Sequence, residues 1–279
     1  MAFAAAGLTH NADHLAAGTL VLLALFGFAG GVGTTALGPG GVLVTIGLFL
    51  FSGLPPAAIS GTAIACNVGS AALGTGAFAH SGQLRGRDTW RMATVLIVTA
   101  VVGTPLGVVV NAQISGGAFG ILLGVCVGAI GALLLVRERR RRRAFSSAPG
   151  SGSASPAVEA IPAVRLVIPL GLGVAVVSGI FGLGGQLLSV PLLVSIGAPM
   201  LASLGASQAQ SIVIAGVGTI GYAIRGAIAW PLVPVVGVPL LAGALVGWRI
   251  AQVVPTERLR SLLAATLVAV GAYLILRNA

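Results

Sequence analysis

Two glycine-rich breaks carry the most chemistry in this chain. The first reads Thr34-Thr35-Ala36-Leu37-Gly38-Pro39-Gly40-Gly41, and the second reads Ser178-Gly179-Ile180-Phe181-Gly182-Leu183-Gly184-Gly185. Each interrupts an apolar stretch that a helix cannot comfortably continue through, and each is followed by a short apolar run, residues 42–51 and 186–196. A helix that restarts after such a break presents unpaired backbone N–H groups and the positive end of its dipole, a combination that favours an anion. Exposed to lipid those groups would be costly, so they must be buried in protein or line a wet cavity. Candidate contacts to a bound anion are therefore Gly38, Gly40, Gly41, Gly182, Gly184 and Gly185, with Gln186 directly after the second Gly-Gly pair. The plain alternative is a glycine-rich helix crossing that binds nothing.

A second pair of segments supplies neutral hydrogen-bonding side chains. Ser60-Gly61-Thr62-Ala63-Ile64-Ala65-Cys66-Asn67 stands against Leu204-Gly205-Ala206-Ser207-Gln208-Ala209-Gln210-Ser211. On helices at membrane depth, Thr62, Asn67, Ser207, Gln208 and Gln210 could hold a transported ion without trapping it. The same residue types also serve as glue between helices, and both uses stay open.

These pairs belong to one internal duplication. Residues 38–84 align without a gap to residues 182–228, with 15 of 47 positions identical. The kept positions include Gly38/Gly182, Gly40/Gly184, Gly41/Gly185, Gly53/Gly197, Pro55/Pro199, Gly61/Gly205 and Gly74-Thr75/Gly218-Thr219. Paired breaks at corresponding places point to a ligand site at the interface of two repeats.

The elements that must position these residues are membrane helices. Hydrophobic residues make up 57% of the chain and charged residues 7%, too few to cover a water-soluble surface. Apolar stretches near 15–37, 57–79, 91–110, 117–136, 166–181, 201–224, 231–254 and 259–276 predict eight long transmembrane helices, and the runs after the breaks predict two half-helices. The expected fold is an all-α polytopic membrane protein of two repeated halves, residues 1–136 and 165–279, joined by a cytoplasmic, Arg-rich flexible linker over 137–164. The amino terminus lacks a basic start and a convincing cleavage site, which predicts a retained first span rather than a removed signal peptide.

The net charge of +10 collects largely in the block from Arg137 to Arg143. In a membrane protein this reads as a positive-inside signal and not as a nucleic-acid site. Arg85, Arg87 and Arg91 fall on the same side, two crossings away. If each short run completes a crossing, the second half is inverted, with Arg249, Arg258 and Arg260 inside; if each turns back, the halves are parallel. The inverted plan leaves one fewer arginine outside and is common among transporters.

No acidic residue falls within a span, which disfavours a carboxylate-lined cation pathway and any hydrolytic site. Cys66 and Cys126 have neither metal-like nor redox spacing, and His80, Arg225 and Arg249 sit near helix ends, where snorkelling accounts for them. No cofactor and no metal are expected.

Gly38-Pro39-Gly40-Gly41, the run from Gly53 to Thr62, Gly182-Leu183-Gly184-Gly185, Val190-Pro191-Leu192-Leu193 and Gly205-Ala206-Ser207 together resemble the TauE/SafE family of membrane proteins. The resemblance extends from Gly27 to Leu276. It implies about eight spans in two related halves, residence in the cytoplasmic membrane, and export of a small sulfur-containing anion such as sulfite or a sulfonate. The sequence departs from the family pattern at Gly61-Thr62-Ala63, Gly205-Ala206-Ser207 and Gly47. The expected partners are a small anion, the lipid bilayer and a candidate coupling proton, with a homo-oligomer left open. A scaffold that docks a partner through the arginine block, or a channel for small solutes, is the competing reading.

Overall fold

The computed structural model describes residues 17–37, 40–80, 87–146, 164–253 and 256–278. Among these residues there are ten helices and no strand: α1 (Ala17–Leu37), α2 (Val42–Phe51), α3 (Pro56–His80), α4 (Arg87–Asn111), α5 (Gly116–Ser146), α6 (Val164–Phe181), α7 (Gln186–Ser195), α8 (Met200–Ile224), α9 (Leu232–Val253) and α10 (Thr256–Asn278). Local chemistry sets several of the boundaries. Pro56 opens α3 at the first helical position, where its missing N–H costs nothing. Pro199, at φ −55° and ψ 138°, stands outside α8 as its N-cap.

Helices occupy all eight stretches expected to cross. Among the described residues, four segments are both long and apolar enough to span a membrane, namely Ala17–Thr35, Pro56–Gly76, Thr89–Asn111 and Gly116–Val136. In α8, Ser203, Ser207, Gln208, Gln210 and Ser211 lower the hydropathy, and all five are buried. Large side chains such as Val98, Val102, Leu106, Leu122, Val238 and Leu245 instead point outward, an apolar exterior suited to lipid.

The arginine block differs from expectation. Residues 137–146, expected to begin an Arg-rich flexible linker, continue α5 as helix to Ser146. The physical reason is composition: Arg, Glu and Ala are good helix formers, and the first proline comes only at Pro149. At 31 residues α5 is about 46 Å long, some 15 Å beyond a hydrocarbon core of about 30 Å. The rest of the expected linker, residues 147–163, lies outside the described residues.

Helices from before the arginine block and from after it interlock. α1 packs along α9, α4 along α6, α3 against α8 and α5 against α10. Glycines make these approaches close. A Cβ on Gly31 of α1 would overlap the Leu240 carbonyl oxygen of α9, and one on Gly107 of α4 would overlap the Val176 carbonyl oxygen of α6. With lipid outside, helices gain little from burying apolar surface, so backbone proximity and dispersion must hold them. Thr35 adds a hydrogen bond, its Oγ1 donating to the Ala244 carbonyl at 2.8 Å. Beneath α2, Phe49, Phe119 and Phe181 stack in tilted contact with centroids 5.8 and 5.4 Å apart.

Gly31→Ala and Gly107→Ala are expected to lower stability by about 1–3 kcal/mol each through overpacking. Gly173→Ala on α6, where a Cβ meets nothing within 4 Å, is expected to be neutral or stabilising by up to about 1 kcal/mol. Thermal unfolding in detergent reads the difference.

Candidate anion site

The break between α6 and α7 is a helix C-terminus buried in the protein. Gly182 adopts φ 68°, a left-handed conformation that other residues rarely adopt, and the Leu183 N–H reaches back to the Ser178 carbonyl at 3.1 Å. This is the Schellman closure of a helix. The carbonyls that follow have no further helix to serve, and side chains from four other helices donate to them. Tyr222 Oη on α8 donates to Gly179 O at 2.7 Å. Ser60 Oγ on α3 and Asn111 Nδ2 on α4 both donate to Ile180 O, at 2.7 and 2.6 Å. Thr45 Oγ1 on α2 donates to Phe181 O at 3.1 Å, and Asn67 Nδ2 on α3 donates to Gly182 O at 3.3 Å. The negative end of the interrupted helix is thereby satisfied within the protein.

The positive ends are treated differently. The N-cap residues of α2 and α7 are Gly41 and Gly185, so neither start is capped by a side chain of its own, and the first N–H of α7 is met from another helix. The two starts meet at one cavity, lined from α2 by Gly41 and Val42 and from α7 and its preceding turn by Leu183, Gly184, Gln186 and Leu187. Asn67 and Ser70 of α3, Thr34 of α1 and Ser211 of α8 complete its polar wall. Ser211 Oγ accepts the Gln186 N–H at 3.0 Å while donating to Ser207 O at 2.8 Å.

No charged side chain is among the lining residues. What the cavity offers is two converging helix N-termini, each carrying about half a positive charge, together with neutral amide and hydroxyl groups. That combination suits a small anion held by hydrogen bonds and released again. The free volume, about 10 Å³, suits a single water molecule and not a sulfur oxyanion. The helices must therefore part for such an ion to enter.

The residues singled out from the sequence fall into three groups. Gly41, Asn67, Gly184 and Gln186 line the cavity, and Gly185 adjoins it, the position of its missing Cβ lying 3.4 Å from Ser211 Oγ. Others shape the surroundings. Gly182 forms the turn, and Gly40 is pressed against the Gly30 carbonyl and Thr34 N–H of α1. Thr62 Oγ1 accepts the Ala229 N–H at 3.0 Å, tying α3 to the loop before α9. Gln210 accepts from Ser189 Oγ and donates to Gly171 O at 3.2 Å, which joins α8 to α7 and α6. Ser207 is fully buried on α8 and does not line the cavity, and Gly38 lies outside the described residues.

Sequence reasoning overlooked Thr34, Ser70 and Ser211. Ser211 was within reach, since it aligns with Asn67. It also passed over the donors Ser60, Asn111 and Tyr222, for which the chain order gives no signal.

Across known proteins, the family model described as Sulfite exporter TauE/SafE matches residues 22–274. Comparison with curated proteins and with solved structures gave no match.

Because Ser60 and Asn111 donate to the same carbonyl, loss of either leaves the other in place. Ser60→Ala and Asn111→Ala are each expected to cost under about 1 kcal/mol, and the pair about 1–3 kcal/mol, more than their sum. A double-mutant cycle of unfolding in detergent measures this, and strict additivity would contradict the shared role.

Proposed function

Because the chain belongs to the TauE/SafE sulfite exporter family of membrane transporters, we propose that it is a secondary transporter that exports a small sulfur-containing anion, sulfite or an organosulfonate, across the cytoplasmic membrane by alternating access. The observation that carries the reading is the convergence of the glycine-capped starts of α2 and α7 on one cavity without charged side chains. The substrate oxygens accept from the second Nδ2 hydrogen of Asn67 and from the Gln186 side-chain amide, and from the Gln186 N–H and the Ser211 O–H once these leave their partners in the closed state, Ser211 Oγ and Ser207 O. With only dipoles and neutral donors the anion is bound weakly enough to leave, as transport requires.

The fold has two repeats, residues 1–136 and 165–279, with eight long crossings and two half-helices, the second half inverted. Reciprocal packing supports this: the first helix of each half lies along the fourth of the other, α1 on α9 and α6 on α4, while third pairs with third and fifth with fifth. On this plan the two half-helix starts lie at the repeat interface, where rocking of one half against the other would expose the site alternately. The tightness of the cavity fits an occluded state of this cycle.

Outward movement of the anion is driven by an inside-negative potential, at about 2.3 kcal/mol per charge per 100 mV. A proton is the candidate coupling ion. In proteoliposomes, sulfite or sulfonate flux is expected to exceed that of sulfate and acetate, to rise when a potential drives the anion, and to change with an imposed pH gradient if protons are coupled. Absence of flux for every anion from correctly folded protein would overturn the reading.

Gly184 gives a sharper test of the site. A Cβ there would meet nothing nearer than Gln186 Cγ at 3.9 Å, so Gly184→Val should insert and fold while filling the cavity. Flux is expected to fall at least tenfold, and flux at the unsubstituted level would remove the anion from this cavity.

A further inference from the structure

α7 and the first half of α8 form an antiparallel hairpin. Gln186 pairs with Ser211 and Ser189 with Gln210, so advancing along α7 means retreating along α8. The face of α8 turned to α7 is fixed by Gln210 and by Ile214, against which a Cβ on Gly185 would press. At helical spacing Ser203 and Ser207 share that face, one and two turns before Gln210.

Both serines are fully buried, and neither Oγ has a hydrogen-bond partner. Thr104, Ser178 and Thr219 are in the same state on other turns, but Ser203 and Ser207 are successive on one face, where a helical hydroxyl can otherwise return its proton to the carbonyl four residues earlier. Ser211 does so on the next turn, as do Ser52 and Thr34 elsewhere. A buried hydroxyl left unpaired is costly, and water would remove that cost. The positions 144 residues earlier are Ile59 and Ala63, so α3 is apolar at these two positions of the matching face.

α7 also has the means to move. Glycines with positive φ stand at both ends, Gly182 at 68° and Gly197 at 96°, with open space around the missing Cβ of Gly197. Pro191 within α7 has no N–H to donate.

Building on the transporter reading, we infer that the seam between α7 and α8 is a passage by which water and the substrate anion reach the cavity from the membrane side on which α7 ends. Ser203 and Ser207 line it, and it opens onto Ser211 and Gln186. The three serines step along α8 by about 6 Å each, so the lane covers about 12 Å, close to half a hydrocarbon core of about 30 Å. The hydroxyls unpaired in the closed state are hydrated when α7 lifts. Their neutral O–H groups suit an anion that must pass without being held.

Thiol accessibility tests this in a Cys66→Ala/Cys126→Ala background. Ser203→Cys and Ser207→Cys are expected to react with a membrane-impermeant charged maleimide from one side of the membrane, the side from which the exposed Ser195→Cys control reacts. They should react at least tenfold faster than Ile59→Cys and Ala63→Cys from that side. If Ser195→Cys reacts and the two seam cysteines react no faster than the α3 pair, the passage is refuted. Should a cysteine variant fail to insert, Ser203→Ala and Ser207→Ala replace it. A drop of threefold or more in anion flux at unchanged thermal stability supports the passage, and unchanged flux overturns it. Labelling needs no knowledge of the substrate, so it can succeed even where sulfite flux fails.

Discussion

A helix that stops inside a membrane leaves carbonyls at one end and N–H groups at the next start that lipid cannot satisfy, and the rest of this structure is arranged around that requirement. At the end of α6 the carbonyls from Gly179 to Gly182 each receive a side-chain donor. Those donors come from α2, α3, α4 and α8, so the break can exist only when helices from both parts of the chain are assembled around it. The glycine-mediated approaches of α1 to α9 and α4 to α6 bring those helices close enough.

The two ends of the break are treated unequally, and the proposed function rests on that inequality. Carbonyl ends attract cations, and here they are quenched by Tyr, Ser, Asn and Thr donors. Helix starts attract anions, and those of α2 and α7, whose own N-caps are glycines, face a shared cavity where a single hydroxyl, Ser211, meets the first N–H of α7. In the proposed reading, a site made from dipoles rather than from arginine or lysine gives modest affinity, and its placement between elements drawn from distant parts of the chain would let small relative movements open and close it.

Much of this was legible in the sequence. Gly40-Gly41 and Gly184-Gly185 announced the breaks, and the duplication indicated that they belong together. Asn67 and Gln186, which line the cavity, stood out in the sequence as a neutral hydrogen-bonding group at membrane depth and as the residue directly after the second Gly-Gly pair. The sequence was a poorer guide to Thr62 and Gln210. Type and depth marked them as site residues, but their partners, Ala229 N–H for one and Ser189 and Gly171 for the other, are set by helix packing. The same holds for Asn111, which sits at the end of α4 and acts on a carbonyl 69 residues away. The arginine block was read for its charge and not for its helix propensity, so the extension of α5 was taken for coil.

The central claim, that the anion lies between the starts of α2 and α7, is tested most directly by locating it. Selenite has the shape and charge of sulfite and a selenium atom that scatters anomalously, so diffraction at the selenium edge from crystals grown with selenite would place it. The account expects one anomalous peak in the cavity, with oxygens in hydrogen-bonding reach of the backbone N–H groups opening α2 and α7 and of Asn67 or Gln186. Selenium bound only elsewhere, with the cavity closed and unchanged, would contradict it.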